Sequence, residues 1–192
     1  MHRLGPIVRL QVQRSTLKTG EKPQRRYDPA PLLAVPRLAV SPDGMLGGTP
    51  DGGWVVDVHH RAHPATKNED GVHGASVGFT GHYAAIRAKF GDQVVDGSAG
   101  ENMIVEHPAV LTLADVERGL AVVGRDGAER VRFRVLQQAF PCRPFTGWAL
   151  GHAVESAVLK EHLQFLDNGM RGYYLQAEGS ATIELGDELL AL

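Results

Sequence analysis

Glycine and proline punctuate this sequence so densely that they narrow its fold more than any other feature does. With 23 glycines and 11 prolines among 192 residues, most uninterrupted stretches are the length of a short strand and few can hold a helix. Ser41-Pro-Asp-Gly44 and Thr49-Pro-Asp-Gly-Gly53 are turns with a mechanism: proline presets φ and glycine supplies the positive-φ position. The runs between such breaks are apolar and β-branched. Ile7 and Val8 lead into alternating Leu10 and Val12, and Trp54 to Val58, Ala75 to Phe79, Glu101 to Val105 and Leu120 to Val123 read as further strands. In Arg130-Val-Arg-Phe-Arg-Val-Leu136 the apolar Val131, Phe133 and Val135 alternate with arginines, the pattern of a half-buried strand. Pro36 makes Leu32 to Val40 an edge strand or two short ones. Lys18 to Pro31 is polar enough to read as a loop. Gly172 to Ala177 and Thr182 to Leu185 end the series of strands.

Two stretches carry helical periodicity. Tyr83, Ile86 and Phe90 share one face of Gly81 to Phe90, with Thr80 as N-cap and Gly91 as the stop. Ala153 to Asn168 places Val154, Val158, Phe165 and Leu166 on one face and ends at Asn168-Gly169. Many short strands and two helices predict a mainly β fold, a β-barrel or closed sheet decorated by a few α-helices. Without repeats or a low-complexity linker, the chain reads as one domain spanning 1–192. A net charge of −2 argues against a nucleic-acid or membrane-surface binder. No apolar run approaches the ~18 residues of a membrane span, and the N-terminus lacks a signal peptide's pattern. A single cysteine excludes an intrachain disulfide and fits a reducing compartment. The expected location is therefore cytoplasmic.

That cysteine lies in Ala139-Phe-Pro-Cys-Arg-Pro-Phe-Thr-Gly-Trp148. Pro141 and Pro144 restrict the backbone around it, so Cys142 is expected on a rigid turn just past a strand end, with Arg143 beside it. A thiolate is a nucleophile and a soft-metal ligand, and a neighbouring guanidinium favours it. Taken alone, Cys142 reads more simply as a small buried apolar residue. Five of the nine histidines, His59, His60, His63, His73 and His82, gather in one region. Their spacing matches no helical pair, and adjacent His59 and His60 on a strand would face opposite ways. Histidines that bind an anion or line a pocket fit this better than a zinc site, and solvent-exposed loop histidines fit some of them. Gly97-Ser-Ala-Gly-Glu-Asn102 permits close backbone approach to an oxyanion. It matches neither phosphate-loop pattern, and by pattern alone it reads as a tight turn.

The order of these motifs says more than any one of them. Asp57-Val-His-His60, His73-Gly74, His82-Tyr83 through Ala88-Lys-Phe90, Gly100-Glu-Asn102, Pro141-Cys142, Arg171-Gly-Tyr-Tyr174 and Gly186-Asp187 together resemble the MOSC family. That family is named after the C-terminal domain of molybdenum cofactor sulfurase. The resemblance runs from about Asp57 to the end and takes in the strand from Ile7 to Val12. It implies a β-barrel of the MOSC type and binding of the molybdenum cofactor, molybdopterin. Cys142 would be the catalytic residue, either ligating molybdenum or carrying sulfur, and His60, Gly100, Asn102, Arg143 and Arg171 would bind the cofactor. The implied activity is reduction of N-hydroxylated small molecules, with electrons from a donor protein. Two alternatives stay open: a sulfur carrier that uses a cysteine persulfide, and a cofactor-binding module without turnover. The chain departs from the family in one place. Members often carry an arginine a few residues after His-Gly-Gly, whereas His73-Gly-Ala-Ser-Val-Gly-Phe79 has none, which leaves Arg87, Arg143 or Arg171 to serve. The length also leaves no room for the pyridoxal-phosphate-dependent desulfurase module of full-length sulfurases.

Overall fold

The computed structural model describes residues 1–151 and 155–192. Its strands are β1 (His2–Gln13), β2 (Lys18–Thr19), β3 (Arg26–Tyr27), β4 (Leu32–Ala34), β5 (Arg37–Ser41), β6 (Gly44–Gly48), β7 (Trp54–Val56), β8 (Ala75–Phe79), β9 (Met103–Val105), β10 (Leu120–Val123), β11 (Glu129–Gln138), β12 (Tyr173–Ala177), β13 (Ala181–Glu184) and β14 (Glu188–Ala191). Among the described residues four helices interleave with them: α1 (Thr80–Phe90), α2 (Leu113–Val116), α3 (Arg143–Leu150) and α4 (Ser156–Phe165).

Seven strands close on themselves. β14 pairs with both β10 and β1, so the order runs β1–β14–β10–β11–β12–β8–β9 and back to β1. Closure leaves this sheet no exposed edge. Neighbours in the barrel are antiparallel except β8 and β9, which are parallel and therefore need a crossover; α1 makes it. β4 pairs with the last residues of β1. A second antiparallel sheet, β13–β5–β6–β7, lies beside the barrel.

The core follows from two-residue periodicity. On β9, Met103 and Val105 join the barrel's apolar interior, while Ile104 joins a second cluster with Tyr83, Ile86, Phe90 and Phe145. A strand buried on both faces reads as a continuous apolar run, as Met-Ile-Val does. β11 has one wet face: Val131 and Phe133 are buried, and Arg132 and Arg134 are exposed. Each fully buried residue such as Leu10, Val77 or Phe133 contributes roughly 1.5–3 kcal/mol of transfer free energy.

Several expectations are corrected here. The stretch from Lys18 to Pro31 is not a plain loop. β2 and β3 form a small hairpin in it, and Leu17 and Tyr27 are buried. Thr80 is not an N-cap, because β8 runs directly into α1 and Phe79 is the capping position. The Thr80 hydroxyl instead donates to the His107 carbonyl and accepts from the His107 N–H, fastening the segment after β9. Gly91 does end α1, at φ 105°. Pro36 separates β4 from β5, giving two short strands. The second helix is α4, from Ser156 to Phe165; Ala153 and Val154, expected on its face, lie outside the described residues. Asn168 and Gly169 both take positive φ where the stop was expected.

His82, on the first turn of α1, is buried among the rings of Phe79 and Tyr173. Its Nε2 accepts the Leu111 N–H at 2.9 Å, which leaves the proton on Nδ1, a buried atom that makes no hydrogen bond among the described residues. Gly81 precedes it because a Cβ there would collide with the backbone of Pro108 and Ala109. No helix among the described residues is long and apolar enough to cross a membrane.

Candidate functional site

The strand registers bring distant segments to one end of the barrel. Tyr174 on β12 lies opposite Ser76 on β8, Leu10 on β1 lies opposite Met103 on β9, and Gln138 at the end of β11 lies opposite Tyr173. The end of β1, the starts of β8, β9 and β12, and the chain leaving β11 therefore meet. They surround a cavity of about 470 Å³, whose wall includes Gln13, Tyr27, His59, Gly100, Glu101, Phe140, Arg171 and Tyr174. That volume lies within the range of sites that hold a small molecule or cofactor.

Asp57 organises the floor. It is fully buried, and its carboxylate accepts from the Gln13 N–H at 2.7 Å, Asn102 Nδ2 at 3.0 Å and the His59 N–H at 2.8 Å. His59 Nδ1 also lies 3.0 Å from Asp57 Oδ1, which orients the ring toward the cavity. Asn102 is equally buried: its Oδ1 accepts from the Ser76 hydroxyl at 3.0 Å, and its N–H donates to Ser76 Oγ. It thus ties β8, β9 and Asp57 together beneath the cavity. Buried polar groups so fully hydrogen-bonded hold a fixed geometry.

The deep wall is different in kind. Arg171 is 8% exposed, yet no carboxylate pairs with it among the described residues. Its Nη2 donates to the Ala99 carbonyl at 2.9 Å, its Nη1 points to the Phe140 carbonyl at 3.4 Å and to Cys142 Sγ at 3.5 Å, and its Nε has no partner. The guanidinium lies 4.4 Å from the centre of the Phe145 ring. A buried cation held only by neutral groups, with its Nε unused, is matched to an anion from outside the chain. Lys18, Arg25 and Lys67 add three more cations around the cavity.

Cys142 occupies the N-cap position of α3, with extended φ and ψ, and Pro144 falls in the helix's first turn. Proline is tolerated there because that N–H has no partner within the helix. Sequence reasoning saw only a turn, since Pro-Cys-Arg-Pro resembles a helix breaker. Arg143 is exposed and does not line the cavity; the guanidinium beside the thiol is that of Arg171. His60 is half-buried, and its Nδ1 accepts the Ala62 N–H; His59, in the same turn, is the one that reaches the cavity. The expectation that the two alternate along a strand fails because β7 has already ended. His73 stacks edge-on against Tyr174, and His63 contacts the Arg14 carbonyl. Among the described residues no three His, Cys, Asp or Glu side chains converge as a metal site. Sequence reasoning did not single out Glu101, Tyr174 or Tyr27. The first two lie inside the motifs around Gly100 and Arg171; Tyr27, Lys18 and Arg25 sit in the stretch read as loop and carried no signal.

The chain matches no curated protein. Its fold resembles solved structures at low identity. The YuaD protein from Bacillus subtilis is 11% identical with a TM-score of 0.55, over 97% of this chain and 92% of that one. YiiM from Geobacillus stearothermophilus is 17% identical with a TM-score of 0.55, over 97% and 74%. YiiM from Escherichia coli is 13% identical with a TM-score of 0.52, over 83% and 64%. The profile of the MOSC domain matches residues 76–190, which hold six of the seven barrel strands and both Cys142 and Arg171. On that match, with the closed barrel in agreement, the chain belongs to the MOSC domain family.

Proposed function

We propose that this MOSC-domain protein holds the molybdenum–pterin cofactor in the cavity and reduces an N-hydroxylated small molecule there. The observation that carries the reading is Arg171: a buried guanidinium with an unused Nε, 3.5 Å from the chain's one thiol, on the wall of a cavity ringed by further cations. These residues fit an anionic cofactor bearing a soft metal. Cys142 offers the sulfur ligand. Arg171, next to that sulfur, would neutralise the metal end, and Lys18, Arg25 and Lys67 would take the phosphate. Gly100, at φ 102° and without a side chain, lets the backbone approach the bound group. Asn102 and Asp57 hold the floor rigid. When bound, the cofactor supplies two-electron removal of oxygen. Arg143 and His60, away from the cavity, are left without a direct contact in this scheme. A single thiol and a reducible metal suit the cytoplasm, with a redox protein as electron donor.

The test is purification from a host that makes the cofactor, followed by elemental analysis for molybdenum and zinc and by assay of an amidoxime and an N-hydroxylated base with a reduced dye. Molybdenum near one per chain with turnover is expected; its absence overturns the reading. In the same preparation, Arg171→Met should weaken cofactor retention by about 10- to 30-fold, the scale of a charged hydrogen bond. Because the cation has no counter-ion to strand, the metal-free variant should unfold within about 1 kcal/mol of wild type. A variant that retains cofactor fully removes Arg171 from the site; one that merely unfolds early makes it structural.

A further inference from the structure

Glu101 stands on the cavity wall, 5% exposed, and the scheme above gives it no task. The Tyr83 hydroxyl, which accepts the Ala99 N–H at 3.0 Å, donates to Glu101 Oε2 at 2.6 Å. That commits Oε2 as an acceptor, so a proton on this carboxyl belongs on Oε1. Room for Oε1 comes from Gly78 on β8, where a Cβ would come within 3.1 Å of it. No cationic side chain hydrogen-bonds either oxygen among the described residues, since Arg171 donates to the Ala99 carbonyl instead. The titratable groups around it are Tyr83 from α1, Arg171 before β12, Tyr27 from β3, Tyr174 from β12 and Asp96 from the loop after α1.

We propose that Glu101 is the cavity's proton donor, a neutral carboxylic acid whose Oε1–H is given to the oxygen of a bound N-hydroxylated molecule as its N–O bond breaks. The inference rests on the function proposed above and adds the residue that completes its chemistry. Reducing R–NH–OH consumes two electrons and two protons and yields R–NH2 and water. The electrons come from an external one-electron donor, a reduced viologen in the test. The N–O bond breaks, the leaving hydroxyl takes one proton from Glu101 to become water, and the nitrogen takes the second from solvent to become R–NH2. The resulting carboxylate sits near the Arg171 charge, which stabilises it until solvent returns the proton. Burial favours the neutral acid at rest and raises this carboxyl's pKa above the ordinary range; Tyr83, the residue's own backbone N–H and Arg171 oppose the shift only in part, and Asp96 adds to it. General acids tuned upward in this way are poised to act near neutral pH.

Two measurements on Glu101→Gln, which keeps the shape and the acceptor for Tyr83, test this. In cofactor-free protein at about pH 6, where exposed carboxylates are ionised, the infrared difference between wild type and variant should show a protonated carboxyl band. A carboxylate band there overturns the proposal. In cofactor-loaded protein with equal molybdenum content, the variant's viologen-driven reduction should fall by about a hundredfold. Wild-type activity should decline with rising pH along a limb the variant lacks. An active wild type matched by an equally active variant refutes the role of Glu101 alone. A loaded but inactive wild type refutes the proposed reduction and this inference together, whichever band the infrared shows.

Discussion

Cys142→Ser is expected to strip the protein of molybdenum while leaving its fold intact. The backbone around Cys142 does the structural work: its carbonyl accepts both the Thr146 N–H and the Thr146 hydroxyl at 3.0 Å, opening α3. Serine keeps that carbonyl and is a preferred N-cap residue, so α3 should hold or gain slightly. What the side chain loses is specific to the ligand. A hydroxyl is a hard, weakly acidic donor and a poor match for a soft metal. Arg171 Nη1, now 3.5 Å from the sulfur, would face an oxygen instead and remain charged. Metal content should drop to about a tenth of wild type or less, at least the loss seen when a metal site's supporting shell is disturbed. Thermal unfolding of the metal-free proteins should coincide within a few degrees. Equal molybdenum in mutant and wild type would sink the ligand assignment. A persulfide found on Cys142 of a metal-free preparation would point to the sulfur-carrier chemistry instead.

The barrel was legible in the sequence because its staves alternate or run continuously apolar between glycine and proline turns. β11 shows this with its arginine-spaced Val131 and Phe133. The strand that closes the barrel was not. β14 has four residues, too few for periodicity to register, and only its pairing with both β1 and β10 reveals its role. The same limit hid β2 and β3, whose two-residue strands lie in a polar stretch yet bring Tyr27, Lys18 and Arg25 to the cavity. At the site, residue types were visible and directions were not. Arg143 is adjacent to Cys142 in sequence and points to solvent, whereas Arg171, 29 positions away, reaches the sulfur. His59 and His60 exchange their expected places for the same reason: a turn held by Asp57, and not a strand's alternation, sets which ring faces inward.

The folded protein should lose stability as pH falls from about 7 to 4, and His82 should account for most of the loss above pH 5. Burial pushes the His82 imidazole down from its ordinary 6.5 to about 4, the backbone of Leu111 and Met170 offsetting the shift only in part and His107 adding to it. Below 6.5 the unfolded chain takes up a proton at this position that the native site refuses, so stability falls with pH until about 4 and then levels off. At about 1.4 kcal/mol per unit, the full window is worth about 3 kcal/mol, of which about 2 should be lost by pH 5. Glu101 works in the opposite direction. Its raised pKa favours the native state below the unfolded value, and that contribution fades as pH climbs through the folded one. The depressed carboxylates Asp51, Asp115, Asp126, Glu129 and Glu161 are all exposed and lose their effect only below the ordinary carboxylate range. His82→Gln leaves these groups in place and keeps an acceptor for Leu111, so comparing the two proteins isolates the imidazole. Urea unfolding of cofactor-free wild type should weaken between pH 7.5 and 5 by about 2 kcal/mol more than the variant does. Parallel profiles would mean that His82 is protonated in place.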